Sequence, residues 1–160
     1  MTARTGNDDP RLAFVYAEAV RGLEHQEGVL DSLIARAGML TYATSFASGL
    51  LGGAALSDGL GAWDWAGVGL LFVIGALLAF MMWPYHNYWF RFDVADLLQE
   101  FVDGDSNMTM SAMHRTLALR IKADMANNWR SIRRIRWAGE AAILLLLLQI
   151  LAWLFAIAGL

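Results

Sequence analysis

Apolar positions along this chain form two kinds of run. In one they recur every three or four residues; in the other almost every residue is apolar. The first kind opens after Arg11, where Leu12, Tyr16, Ala19, Leu23, Leu30 and Ile34 keep that spacing with gaps, as on one face of a helix. It returns at Met113, Leu117, Ile121, Met125, Asn128, Ile132 and Ile135. The second kind fills residues 37–56, 63–83 and 141–160. The first two of these windows hold no Lys, Arg or Glu, with Asp64 their one acidic residue, and the third carries no charge. A helix of about 20 residues rises roughly 30 Å, the thickness of a bilayer's hydrocarbon core. Strands that cross a bilayer alternate in polarity, and these windows do not. The pattern predicts an all-α integral membrane protein with three transmembrane helices, over 37–56, 63–83 and 137–158.

No proline separates the helix predicted over 11–36 from the first window, and Gly38 is the only weak link. The spacing thus predicts one helix of roughly 45 residues, about 70 Å long, and a second of similar length over 111–158. Both are expected to extend into the cytoplasm, as an antiparallel pair or as strands of an oligomeric helical bundle. Pro84, lacking an N–H, should end or kink the second span. Asp93 stands where it would cap a short helix over 94–101, and Asp103, Gly104, Asp105, Ser106 and Asn107 read as a loop. Residues 1–10 read as a disordered N-terminus, and 84–136 as a cytoplasmic helical segment.

Composition supports the membrane class: 58% of residues are hydrophobic, 17% are charged, and the mean hydropathy is +0.43. A soluble domain is nearer half apolar and a quarter charged. The net charge of −3 says little as a total, but the basic residues are unevenly placed. Arg4, Arg11, Arg21 and Arg36 precede the first window; Arg91, Arg115, Arg120, Lys122, Arg130, Arg133, Arg134 and Arg136 lie between the second and third. The short link between windows one and two has Asp58 and no base. Positive segments stay cytoplasmic, so the N-terminus is expected inside and the C-terminus outside. Trp63 and Trp65 at one end of the second span, and Trp83, Tyr85, Tyr88 and Trp89 at the other, suit the headgroup layer. The polar, acidic first 36 residues are unlike a cleavable signal. Cysteine is absent, which excludes disulfides and thiolate metal sites.

No catalytic constellation stands out. His25, His86 and His114 lack ligand-like spacing, so neither a metal nor a cofactor is expected. The most informative local feature is a set of small residues in the first window. Ser45, Gly49 and Gly53 recur every fourth residue, Ser48 and Gly52 form an adjacent row, and Thr41, Thr44 and Ser48 add hydroxyls. Such rows let helices approach closely in lipid. They suit packing against the other spans, or the lining of an oligomeric pore. Glu140 stands four residues after Arg136, as in an interfacial ion pair, and Gln149 is placed for an interhelical hydrogen bond. The bases Arg130, Arg133, Arg134 and Arg136 fit a membrane boundary facing anionic lipid or a partner, with no specific nucleic acid required.

The run Glu27-Gly28-Val29-Leu30-Asp31-Ser32-Leu33-Ile34-Ala35-Arg36-Ala37-Gly38 leads directly into a small-residue span. A second span follows, then a helix ending Asn127-Asn128-Trp129-Arg130-Ser131-Ile132-Arg133-Arg134, then a third span. Over Arg11 to Ala158 this layout resembles the membrane effectors of bacterial Pycsar antiphage systems and, more loosely, the SLATT membrane-effector group. The resemblance implies an inner-membrane protein that oligomerises and permeabilises the membrane on an infection signal. The chain departs from it in having no recognisable nucleotide-binding domain, so a sensor would be a separate protein or a pocket among its own helices. A scaffolding subunit that recruits a partner through its cytoplasmic helices is the competing reading. A transporter is disfavoured by three spans without an inverted repeat, and an enzyme by the missing catalytic groups.

Overall fold

The computed structural model describes residues 9–58, 60–83, 94–101, 103 and 108–159. Every element among them is helical: α1 (Pro10–Ala47), a π-helical turn (Ser48–Gly52), the single turn α2 (Gly53–Ala55), a 3-10 turn (Leu56–Asp58), α3 (Ala62–Met82), α4 (Val94–Phe101) and α5 (Met110–Ile157). The short helix appears over the residues expected. Its proposed cap Asp93, Pro84, Tyr85, Tyr88, Trp89 and the loop over 104–107 lie outside the described residues, as do residues 1–8 of the expected N-terminal tail. Pro10, read from sequence as part of that tail, instead begins α1. Asp9 explains the start: its carboxylate accepts from the Arg11 N–H at 3.0 Å, and its carbonyl accepts from the Leu12 N–H at 3.0 Å. Proline in the first turn sacrifices no bonded N–H and arrives with a helical φ.

The chain divides into two compact units: Met1–Val29 with Tyr85–Ser131, and Leu30–Pro84 with Ile132–Leu160. The helices α1 and α5 contribute to both. In the first unit they pack side by side in the same direction. Asp9 N–H donates to Ser111 Oγ at 2.7 Å, the Tyr16 and His114 rings stack at 5.3 Å, and Gln26 Nε2 donates to the Met125 carbonyl at 3.1 Å. In the second unit α5 again follows the first window in parallel, with Ser48 beside Gln149 and Gly52 beside Trp153. Of the two arrangements expected from sequence, the antiparallel pair is therefore wrong. The physical reason was available: both helices enter an apolar window at their C-terminal ends. In the same unit α3 runs the other way, with Gly67 against Trp153 and Met81 against Gly139.

Each long helix buries one stripe. On α1 the inward positions are Leu12, Tyr16, Ala19, Leu23, Gln26, Leu30, Leu33, Ala37, Leu40, Thr44 and Ala47, alternating steps of four and three. Ile34, assigned to this face from sequence, is 40% exposed, and Leu33 takes its place. On α3 the stripe is Asp64, Gly67, Leu71, Ile74, Leu78 and Met81, with the same alternation. On α5 it runs Leu117, Ile121, Asp124, Asn128, Ser131, Ile135, Ala138, Ala142, Leu145, Gln149 and Ala152. A repeat of 3.5 residues keeps a seam in place as helices wrap with a left-handed twist, the geometry of knobs packed into holes. The α1 repeat breaks at the π-turn. There the buried positions become Gly52 and Ala55, one residue later than the alternation requires, as expected where a π-turn inserts one residue.

Two helices, α3 and α5, are long and apolar enough to cross a membrane, and only 22% of each apolar window is buried within the protein. That share argues against core helices of a soluble domain. Around the same unit Tyr42 is 80%, Phe46 72% and Phe72 75% exposed. A soluble monomer rarely leaves such large apolar groups in contiguous water-facing patches.

Candidate functional site

The second unit carries a polar seam inside otherwise apolar helices. Thr44, Asp64 and Gln149 are its buried polar residues among those described, each at most 4% exposed. Gln149 Nε2 donates to Ser48 Oγ at 2.9 Å, the interhelical bond its mid-window position suggested. Such bonds contribute on average about 0.6 kcal/mol within a membrane. One turn further along α5, Trp153 is 2% exposed and lies between two glycines. A Cβ on Gly52 would meet its ring at 3.3 Å, and one on Gly67 at 2.8 Å. An indole fits there because both neighbouring backbones lack side chains. Asp64, one turn before Gly67, holds the start of α3: its Oδ2 accepts from the Gly61 N–H at 2.7 Å. Beside this end of the seam the Trp63 and Phe155 rings meet at 5.0 Å.

Four buried side-chain atoms in this seam have no hydrogen-bond partner among the described residues: Thr44 Oγ1, Gln149 Oε1, Trp153 Nε1 and Asp64 Oδ1. Leaving such an atom unsatisfied costs about 1–3 kcal/mol. Past Thr44 the seam turns apolar, with Ala37, Ile74, Leu78, Met81, Ala138 and Ala142 buried. The polar stretch thus begins at the Asp64 end of α3 and gives way to hydrocarbon beyond Thr44.

The small-residue rows divide between faces. Thr44, Ser48 and Gly52 point into the seam. Thr41, Ser45, Gly49 and Gly53 are exposed, and a Cβ on Gly49 or Gly53 would meet nothing within 4 Å. Those four make no intramolecular packing row among the described residues, because the seam uses a different stripe. The Thr41 hydroxyl donates to its own helix, at the Ala37 carbonyl, 2.9 Å away. Sequence reasoning missed Trp153, Gly67 and Asp64 as parts of one site. A clue was present in Asp64, the lone acid of its window.

Arg130 is exposed in the first unit, and Arg133, Arg134 and Arg136 are exposed in the second. Arg136 Nε pairs with Glu140 Oε1 at 3.0 Å, the ion pair their four-residue spacing predicted. Both side chains are more than half exposed, so the pair contributes only about 0.3–0.5 kcal/mol. In the first unit, burial raises the Asp124 carboxyl above its ordinary value, partly opposed by Arg120. No group of three or more metal-ligating side chains occurs among the described residues. Compared with known proteins, the chain matches no family model, no curated protein and no solved structure.

Proposed function

We propose that this chain is a three-span inner-membrane effector of a bacterial antiphage system, which oligomerises and permeabilises the membrane on a signal. Spans two and three of this reading correspond to α3 and the C-terminal part of α5. The first corresponds to residues 37–56, where the backbone stays right-handed helical at Ala47, Gly52 and Gly53 through the π-turn. The arginine distribution supports an N-terminus in the cytoplasm and a C-terminus outside.

The observation that carries the reading is the buried polar seam. Polar side chains inside membrane-spanning segments are expensive and mark pathways or relays. The Gln149–Ser48 bond and the Asp64 cap serve an inert anchor too, but the further buried polar atoms of Thr44, Gln149, Asp64 and Trp153 add cost without adding to its packing. Exposed Ser45, Gly49 and Gly53 leave a close-approach stripe for a second copy.

The test is membrane potential in cells expressing the full chain and challenged with phage. A voltage-sensitive dye should report depolarisation soon after infection, and cells lacking the chain should hold their potential. Unchanged potential with the protein present in the inner membrane refutes the proposal. A scaffolding role draws on a different observation: Phe14, Leu119 and Trp129 in the first unit are 65%, 58% and 50% exposed. Co-purification of a signalling or sensor protein at fixed stoichiometry, without depolarisation, would favour that role.

A further inference from the structure

The four unpartnered atoms fall into two complementary pairs. Trp153 Nε1 is a donor and Asp64 Oδ1 an acceptor; the Thr44 hydroxyl is able to donate and Gln149 Oε1 to accept. The members of each pair belong to neighbouring elements of one unit. Gly67, one turn from Asp64, touches the Trp153 ring, and Ser48, one turn from Thr44, bonds Gln149. A water molecule accepts one hydrogen bond while donating another, so water can serve the donor and the acceptor of each pair; buried polar atoms of this kind are where internal water binds. Asp64 is the one acidic or basic residue among the buried residues described.

We propose that this seam is a water-binding path for protons, with Asp64 as its proton acceptor and the Trp153 indole as the plug that holds it shut. The inference rests on the permeabilising reading and names both the permeant and its route. A proton arriving at the Asp64 end binds Oδ1, because Oδ2 is engaged by the Gly61 N–H. Its onward passage is blocked by an indole wedged between Gly52 and Gly67. Beyond it the Thr44, Ser48 and Gln149 groups offer oxygens that solvate a proton through water. The apolar residues past Thr44 form the second barrier, of the kind that opens by wetting. Removing the indole lets water enter the tract and wet that barrier as well, so flux through the seam no longer depends on a signal.

The experiment uses the purified full chain in phosphatidylethanolamine–phosphatidylglycerol vesicles loaded with a pH dye and a potassium dye. Trp153→Ala should raise proton flux at least about tenfold over the unaltered chain without raising potassium flux. Adding Asp64→Asn to that variant should return proton flux to the starting level. If Trp153→Ala does not insert as a helical protein by circular dichroism, Trp153→Leu carries the same measurement. Flux of both ions that ignores Asp64, or no increase from either Trp153 variant while the unaltered chain permeabilises, overturns the inference and leaves the permeabilising reading standing. No flux of either ion from any of these chains overturns the inference, because the Trp153 variants should conduct without a signal; the permeabilising reading is then judged by the depolarisation test alone.

Discussion

Glycines that are alike in sequence differ in what surrounds them. Gly67 and Gly52 face the Trp153 indole, whereas Gly49 and Gly53 open outward with nothing near. A methyl group at Gly67 would sit 2.8 Å from ring atoms that cannot withdraw, because the ring is held on its other side by Gly52. Gly67→Ala should therefore destabilise the second unit by about 1–3 kcal/mol, the usual cost of overpacking a tight site. Gly49→Ala should leave the stability of a single chain unchanged. Reversible unfolding in mixed detergent, read by tryptophan fluorescence, separates the two. Equal effects of both substitutions would show that the indole is not seated as described.

Among the elements, α1 and α5 are governed by one repeat, and polar residues on that repeat select the register. Gln26 sits on the buried stripe of α1 and spends its amide on the Met125 carbonyl, while Asn128 is 1% exposed on the stripe of α5. A buried polar seam residue specifies alignment at some cost in stability. The native chain has no cysteine, so pairs can be introduced without background. Tyr16→Cys with His114→Cys, and Gln26→Cys with Met125→Cys, should each join within one chain through a short bis-maleimide. Parallel helices bring both pairs together; an antiparallel arrangement permits at most one of them. Cross-linking of a single pair would therefore remove the parallel register.

For the whole molecule, the outward apolar surface decides the environment. The apolar windows of α3 and α5 turn most of their residues away from the protein, and Phe72, Leu144 and Leu147 are 75%, 64% and 56% exposed. Water is a poor solvent for that surface, at about 25 cal/mol for each Å² left uncovered. The full chain should stay with the membrane pellet through alkaline carbonate extraction and move to the soluble phase only with detergent. Release by carbonate alone would contradict a spanning protein. The weakly contributing Arg136–Glu140 pair should not affect this outcome, so Glu140→Gln serves as a neutral control.

Much of this was written in the order of the residues. The apolar windows determine that the chain is helical, with two helices long and apolar enough to cross a membrane, where a backbone has few other ways to bond its own amides. The step of three and four along α1 and α5 determines which face turns inward, and a spacing of four residues was enough to pair Arg136 with Glu140. Ile34 was misplaced because an apolar residue next to the stripe looks the same as one on it. Tertiary structure alone decided which residues of α1 and α5 meet; their shared direction follows from the apolar windows that both helices enter at their C-terminal ends. It also decided which of two small-residue rows became interior: a one-residue π-turn and the bulk of one indole, about 100 positions away in the chain, selected Gly52 and left Gly49 outside. The same packing made a seam of Asp64, Trp153, Gln149 and Thr44, whose kinship is spatial and leaves no spacing in the sequence to read.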